Sequence, residues 1–190
     1  MEEQNITQGA FDEGNPILQQ DKKPNALAFK VAISFAVYTL ATFYLYKFLG
    51  IDAANPDMPV AEKIISMVLS YGIFILAIVY TQVTHKRELG GFITYGRAFS
   101  TGFKVAAYAG LFIGLLFILY YKVLDPAAMD HIIDASIAQA KGNEQQIEGI
   151  RKMSGFMWIF AAFGAAITYT IFGLIVSLIS AAVVKKDRKL

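Results

Sequence analysis

Charge is missing from four long stretches of this chain. Lys30 and Lys47 enclose 16 uncharged residues, Lys63 and His85 enclose 21, and Lys104 and Lys122 enclose 17. Met153 to Val184 is an uncharged run of 32. A bilayer core about 30 Å thick takes about 20 apolar residues per helix. The pattern predicts an all-α integral membrane bundle of four transmembrane helices, over about 26–49, 59–83, 92–124 and 157–184. The last run would make about 48 Å of helix at 1.5 Å per residue. Its first residues, around Trp158, therefore read as interfacial, with tilt absorbing the rest.

The breaks between the runs carry stop and start signals. Gly50 reads as the C-terminal stop of the first helix, and Pro59 suits the first turn of the second. Gly90-Gly91 marks a turn. Beyond it Phe92, Tyr95, Phe99 and Phe103 share one face, and Thr94, Arg97, Thr101 and Lys104 another. That predicts an amphipathic start to the third helix, lying in the headgroup region. Asp125-Pro126 reads as an N-cap followed by Pro at the first helical position. Met129, Ile132, Ile133, Ile137 and Ala140 then predict an amphipathic helix in the 125–152 loop, ended by Gly142-Asn143. Ile147, Ile150 and Met153 suggest one more turn before the fourth helix. Residues 1–25 read as a disordered tail and 185–190 as a basic one. Because the N-terminus is polar and acidic, the first apolar run reads as a retained signal anchor.

Charge adds an orientation. With the N-terminus, the second loop and the C-terminus on one side, that side holds 11 basic residues and the other 6. The positive-inside rule makes the richer side cytoplasmic, with both termini in and the 125–152 loop out. Tyr44, Tyr46, Tyr120, Tyr121 and Trp158 then read as outer interfacial anchors, and Tyr80 and Tyr95 as inner ones. A net charge of +2 on 190 residues, with the basic residues at the ends of apolar runs, excludes a nucleic-acid partner. The absence of cysteine excludes disulfides and thiolate chemistry. The His85-Lys86-Arg87 segment with Arg97 and Lys104 is either a topological signal or a seat for anionic lipid headgroups.

Candidate chemistry is sparse. Gly102, Ala106, Gly110 and Gly114 form a stripe of small residues spaced by four, and Gly173, Ser177 and Ala181 form a matching one. Such stripes let helices approach closely, inside the bundle or between copies of the chain. Tyr38, Tyr71, Tyr108 and Tyr169 fall one in the middle of each helix, with Thr39, Thr42, Ser70, Thr168 and Thr170 nearby. They would line a polar cleft for a small solute or simply hydrogen-bond between helices. None of the four runs has an ionisable residue other than tyrosine in its interior, which argues against coupled transport. His131, beside Asp130 and Asp134, reads as a solvated helix face rather than a metal site. With no nucleophile, metal cluster or phosphate loop, the sequence predicts neither enzyme nor cofactor.

Three segments in order resemble a known family: Glu88-Leu89-Gly90-Gly91-Phe92-Ile93-Thr94-Tyr95-Gly96-Arg97-Ala98-Phe99, then Asp125-Pro126 before a charged helical loop, then Ser177-Leu178-Ile179-Ser180-Ala181-Ala182 before a lysine pair. With four helices, they resemble a bacterial family of small four-helix integral membrane proteins known only as a domain of unknown function. The resemblance implies a multi-pass protein of the bacterial inner (cytoplasmic) membrane and brings no activity. The function expected is structural or accessory, acting through helix packing, the lipid bilayer and a membrane-protein partner or homo-oligomer. The alternative is an uncoupled small-solute transporter or pore subunit.

Overall fold

A computed structural model describes residues 23–51 and 58–187. Of the expected 1–25 tail, residues 1–22 lie outside the described residues, as do the Asn55-Pro56 loop and residues 188–190, whereas Asn25 already opens the first helix. The structure is all-helical: α1 (Asn25–Leu49), α2 (Val60–Met67), α3 (Ile73–Glu88), α4 (Tyr95–Leu119), α5 (Pro126–Gln139), α6 (Glu144–Met153) and α7 (Met157–Val184). A π-helical turn, Val68–Gly72, joins α2 to α3, and a second, Tyr120–Leu124, extends α4. A short 3₁₀ turn, Ser154–Phe156, leads from α6 into α7. Among the described residues four helices are long and apolar enough to cross a membrane: Asn25–Leu49, Val60–Glu88, Tyr95–Leu124 and Glu144–Val184.

α4 is the centre of the bundle. It packs most extensively against α7 and next against α1, and α3 packs against both α4 and α7. The α4–α7 seam is where the two small-residue stripes meet. A Cβ added to Gly102 would lie 2.7 Å from the Ser177 hydroxyl. One added to Gly110 would strike the Thr170 hydroxyl and lie 2.7 Å from the Ala166 carbonyl oxygen. One on Gly114 would lie 3.2 Å from Ala166 Cβ, and one on Gly173 would strike Ala106. The residue numbers run in opposite directions, so the helices are antiparallel. Their backbones come closer than side chains would allow, and the gain is dispersion contact, since lipid tails give no hydrophobic drive between helices. Ala181 continues the seam, fully buried with Ala98 in the cluster near the Gly90-Gly91 turn.

Helix ends follow local rules. Gly50 adopts φ +69°, and bonds from Gly50 N–H to Lys47 and Ile51 N–H to Tyr46 close α1 with a Schellman turn. Gly90 and Gly91 (φ +76° and +88°) close α3 the same way, through Gly90 N–H to Arg87 and Gly91 N–H to Lys86. Asn143 caps α6, accepting from the Gln146 amide at 3.2 Å.

Several boundaries differ from expectation. The second span continues to Glu88 because Thr81, Gln82 and His85 are buried in the bundle. The third starts at Tyr95, not Phe92; Ile93 instead forms an antiparallel bridge with Lys186, by bonds of 3.0 and 2.9 Å. Pro59 sits just before the first turn rather than in it. Asp125 occupies the N-cap position of α5 without capping by its side chain, because Lys47 and Tyr120 hold the carboxylate. Tyr46 and Tyr120, expected as anchors, are buried within the bundle.

The seam sets a stability test. Gly110→Leu must push apart α4 and α7 backbones, and overpacking of this kind costs about 1–3 kcal/mol. Gly164, with nothing within 4 Å of an added Cβ, is the control. Gly110→Leu should melt well below wild type in detergent while Gly164→Ala melts at or above it.

Candidate functional site

Two neighbouring cavities occupy the end of the bundle that carries Asp125. The deeper cleft, of about 300 Å³, lies between the first, second and fourth spans. α1 contributes Tyr38, Thr39, Thr42, Phe43 and Tyr46; the π-turn contributes Ser70 and Tyr71; α7 contributes Ala165, Thr168 and Tyr169, and α4 contributes Phe117. A vestibule of about 410 Å³ lies above it, lined by Lys47, Gly50, Tyr120, Tyr121, Asp125, His131 and neighbours. Phe43 and Tyr46 line both cavities.

The cleft exists because the second span is anchored by only half its length. α3 buries Phe74, Ile78, Thr81, Gln82 and His85 along one face, whereas α2 buries nothing. The π-turn lies where the packing stops. Tyr38 donates across the gap to the Leu69 carbonyl in that turn (3.1 Å), so one hydroxyl of the cleft holds the turn in place. Thr39 and Thr42 donate to carbonyls on their own helix, each at 3.0 Å. Tyr71 and Tyr169 stack with ring centroids 5.8 Å apart. Tyr169 also joins two rings off the lining in a three-ring cluster: Phe35 to Phe74 at 4.9 Å, Phe74 to Tyr169 at 5.2 Å, and Phe35 to Tyr169 at 5.7 Å. Phe74 is fully buried, and the solid core of Ile78, Val105 and Ala106 lies beyond it.

Three of the four predicted tyrosines thus meet. Tyr38, Tyr71 and Tyr169 line one cleft, but Tyr108 does not: it turns to the other side of α1 and packs edge-on against Phe29 at 5.7 Å. Thr170 is also elsewhere, bonded to the Ala166 carbonyl and facing Gly110. The fourth tyrosine of the cleft is Tyr46. Its hydroxyl is buried and has no hydrogen-bond partner among the described residues. A buried polar group left without a partner costs about 1–3 kcal/mol, so this hydroxyl is a feature to account for.

At the mouth, Lys47 Nζ lies 2.6 Å from Asp125 Oδ2, and the Tyr120 hydroxyl donates to the same oxygen at 3.0 Å. The pair joins the ends of the first and third spans, 78 residues apart. The Lys47 hydrogen bond holds the Asp125 carboxyl below the ordinary carboxylate range; burial opposes it, and the Tyr120 bond adds to it. His131 lines the vestibule, and among the described residues no three His, Cys, Asp or Glu side chains gather as a metal set.

The opposite end holds a second polar group that the sequence pattern did not reveal. Gln82 is fully buried, its Nε2 donating to the Ala98 carbonyl (3.1 Å) and, more weakly, the Ser177 carbonyl (3.4 Å). It thereby ties three spans together. His85, one turn on, is also fully buried, with Nδ1 3.4 Å from a Glu88 oxygen. Gln82 Oε1 and His85 Nε2 find no partner among the described residues. The expected cationic patch is therefore partly committed to the fold: His85 is inside and Lys86 donates to the Val184 carbonyl at 2.7 Å.

Residues 30–186 match the model of the family described as "Protein of unknown function (DUF4199)", and the chain belongs to that family. No curated protein and no solved structure matches.

The mouth can be tested by pH. A lowered carboxyl stabilises the fold above its unfolded value, near pH 4, and loses that contribution as pH falls through the folded value. Lys47 is largely exposed, so the pair is worth about 1 kcal/mol or less. Asp125→Asn should melt below wild type at pH 7, and the gap should narrow as the pH falls from about 5 toward 3.

Proposed function

We propose that this DUF4199 protein is a non-enzymatic accessory protein of the bacterial inner membrane that binds at its outer face and passes nothing through itself. Both termini are then cytoplasmic, by the basic residues that flank the spans, and the cavities open outward. The observation that carries the reading is the three-ring cluster of Phe35, Phe74 and Tyr169, which meets the cleft through Tyr169 and continues into the packed core. A protein that conducts needs a path; one that binds needs only a pocket. The lipid bilayer, with anionic headgroups at the cytoplasmic face, is its surrounding partner. α2, whose Val60, Ile64, Ile65 and Met67 are exposed, offers the apolar face for a membrane-protein partner or a second copy.

A second reading, an uncoupled small-solute transporter or pore subunit, has one observation in its favour: vestibule and cleft adjoin one another, with Phe43 and Tyr46 on both linings. It requires the three-ring cluster to move aside. Proteoliposomes separate the two. Wild type should leave vesicles no more permeable to urea and glycerol than protein-free vesicles, and a photocrosslinker at position 64 in native membranes should capture one fixed partner. Glycerol flux through the wild type, strengthened in Phe74→Ala, would replace the accessory reading with the transport one.

A further inference from the structure

We infer that the tyrosine cleft is a binding site for a small uncharged aromatic molecule that carries one hydrogen-bond acceptor and enters through the Asp125 vestibule. The inference deepens the binding function proposed above and rests on it. Size comes first. A dry cavity of about 150 Å³ takes a benzene ring; the cleft, at about 300 Å³, takes a ring with a substituent and is near the lower end of ligand pockets.

Chemistry narrows the class. The described lining of the cleft carries no charged side chain. At the mouth Lys47 and Asp125 neutralise one another, so the approach selects neither anions nor cations. The stacked rings of Tyr71 and Tyr169 and the edge of Phe43 offer flat surfaces at which an aromatic ring gains offset or edge contacts. The hydroxyl donors of Tyr38, Thr39 and Thr42 are spent on backbone carbonyls. Tyr46 is different: it is nine-tenths buried, lines both cavities, and its hydroxyl has no partner among the described residues. An O–H in that state calls for an acceptor, and the ligand supplies it.

A third, independent feature lies in the backbone. Ser70 and Tyr71, both on the lining, belong to the π-turn Val68–Gly72. Single π-turns inside α-helices recur at functional sites, where they re-aim side chains.

The test uses the full chain in phosphatidylcholine nanodiscs and three fluorinated probes followed by ¹⁹F NMR: 4-fluoroacetophenone, 4-fluorotoluene and 4-fluorobenzoate. The ketone should bind saturably, the toluene more weakly, and the benzoate not at all. Tyr46→Phe, which keeps the shape, should weaken the ketone about tenfold and leave the toluene unchanged. Ser70→Phe, which fills the cleft, should abolish both; if it fails to fold, the Tyr46→Phe contrast decides alone. Signals that grow with lipid and ignore Tyr46→Phe, saturable benzoate binding, or no saturable ketone binding would each overturn the inference. Sealed vesicles with no ketone binding remove the ligand class alone; saturable ketone binding with glycerol flux removes the accessory reading alone.

Discussion

The close approach of α4 and α7 is the contact on which the other contacts depend. In lipid, apolar side chains gain nothing by leaving their surroundings, so a bundle holds where backbones come near enough for many weak contacts and where polar groups pair. Gly102, Ala106, Gly110 and Gly114 meet Ser177, Gly173, Thr170 and Ala166 at distances that would exclude larger side chains. This seam places Ser177 where the Gln82 amide can reach its carbonyl, and so fixes α3 against both helices. α1 is then added on the other flank of α4, through Ala28, Ala32, Phe35 and Ala36.

The cleft is the counterpart of that seam. Close packing is concentrated toward the Gly90-Gly91 end and along α4–α7, and the second span loses its buried face at the π-turn. Space opens between spans one, two and four, where bulky tyrosines rather than glycines face each other. The hydroxyls of Tyr38, Thr39 and Thr42 are accommodated there by backbone acceptors close by. The mouth is held by the Lys47–Asp125–Tyr120 group, which spends the Asp125 carboxylate on tertiary structure at the expense of its local capping role.

Much of the architecture could be read from the chain. Uncharged runs locate four helices, because a bilayer demands them, and the stripes spaced by four identify the faces that meet. The site was legible only in part. Tyr38, Tyr71 and Tyr169 share a depth and meet; Tyr108 shares that depth but points along a different azimuth of α4, which depth alone does not specify. Tyr46 looks like an interfacial anchor by position, and only the packing of α1 turns it inward. His85 sits beside Lys86 and Arg87, so its charge neighbours imply solvent, yet helical periodicity from Phe74, Ile78 and Gln82 carries it to the buried face. The π-turns leave no composition signal, since they arise where helix packing changes.

The π-turn at Val68–Gly72 also divides the second span mechanically. Below it, α3 is pinned by Gln82, by the Lys86 bond to Val184 and by the turn that the Ile93–Lys186 bridge fastens. Above it, α2 has no buried residue, and the hydroxyl of Tyr38 bridges to the turn rather than to α2 itself. The span is thus held along one half of its length and faces outward along the other, and the change falls at Ser70 and Tyr71. Those two residues line the cleft, so the place where the helix changes its hold is also a wall of the cavity.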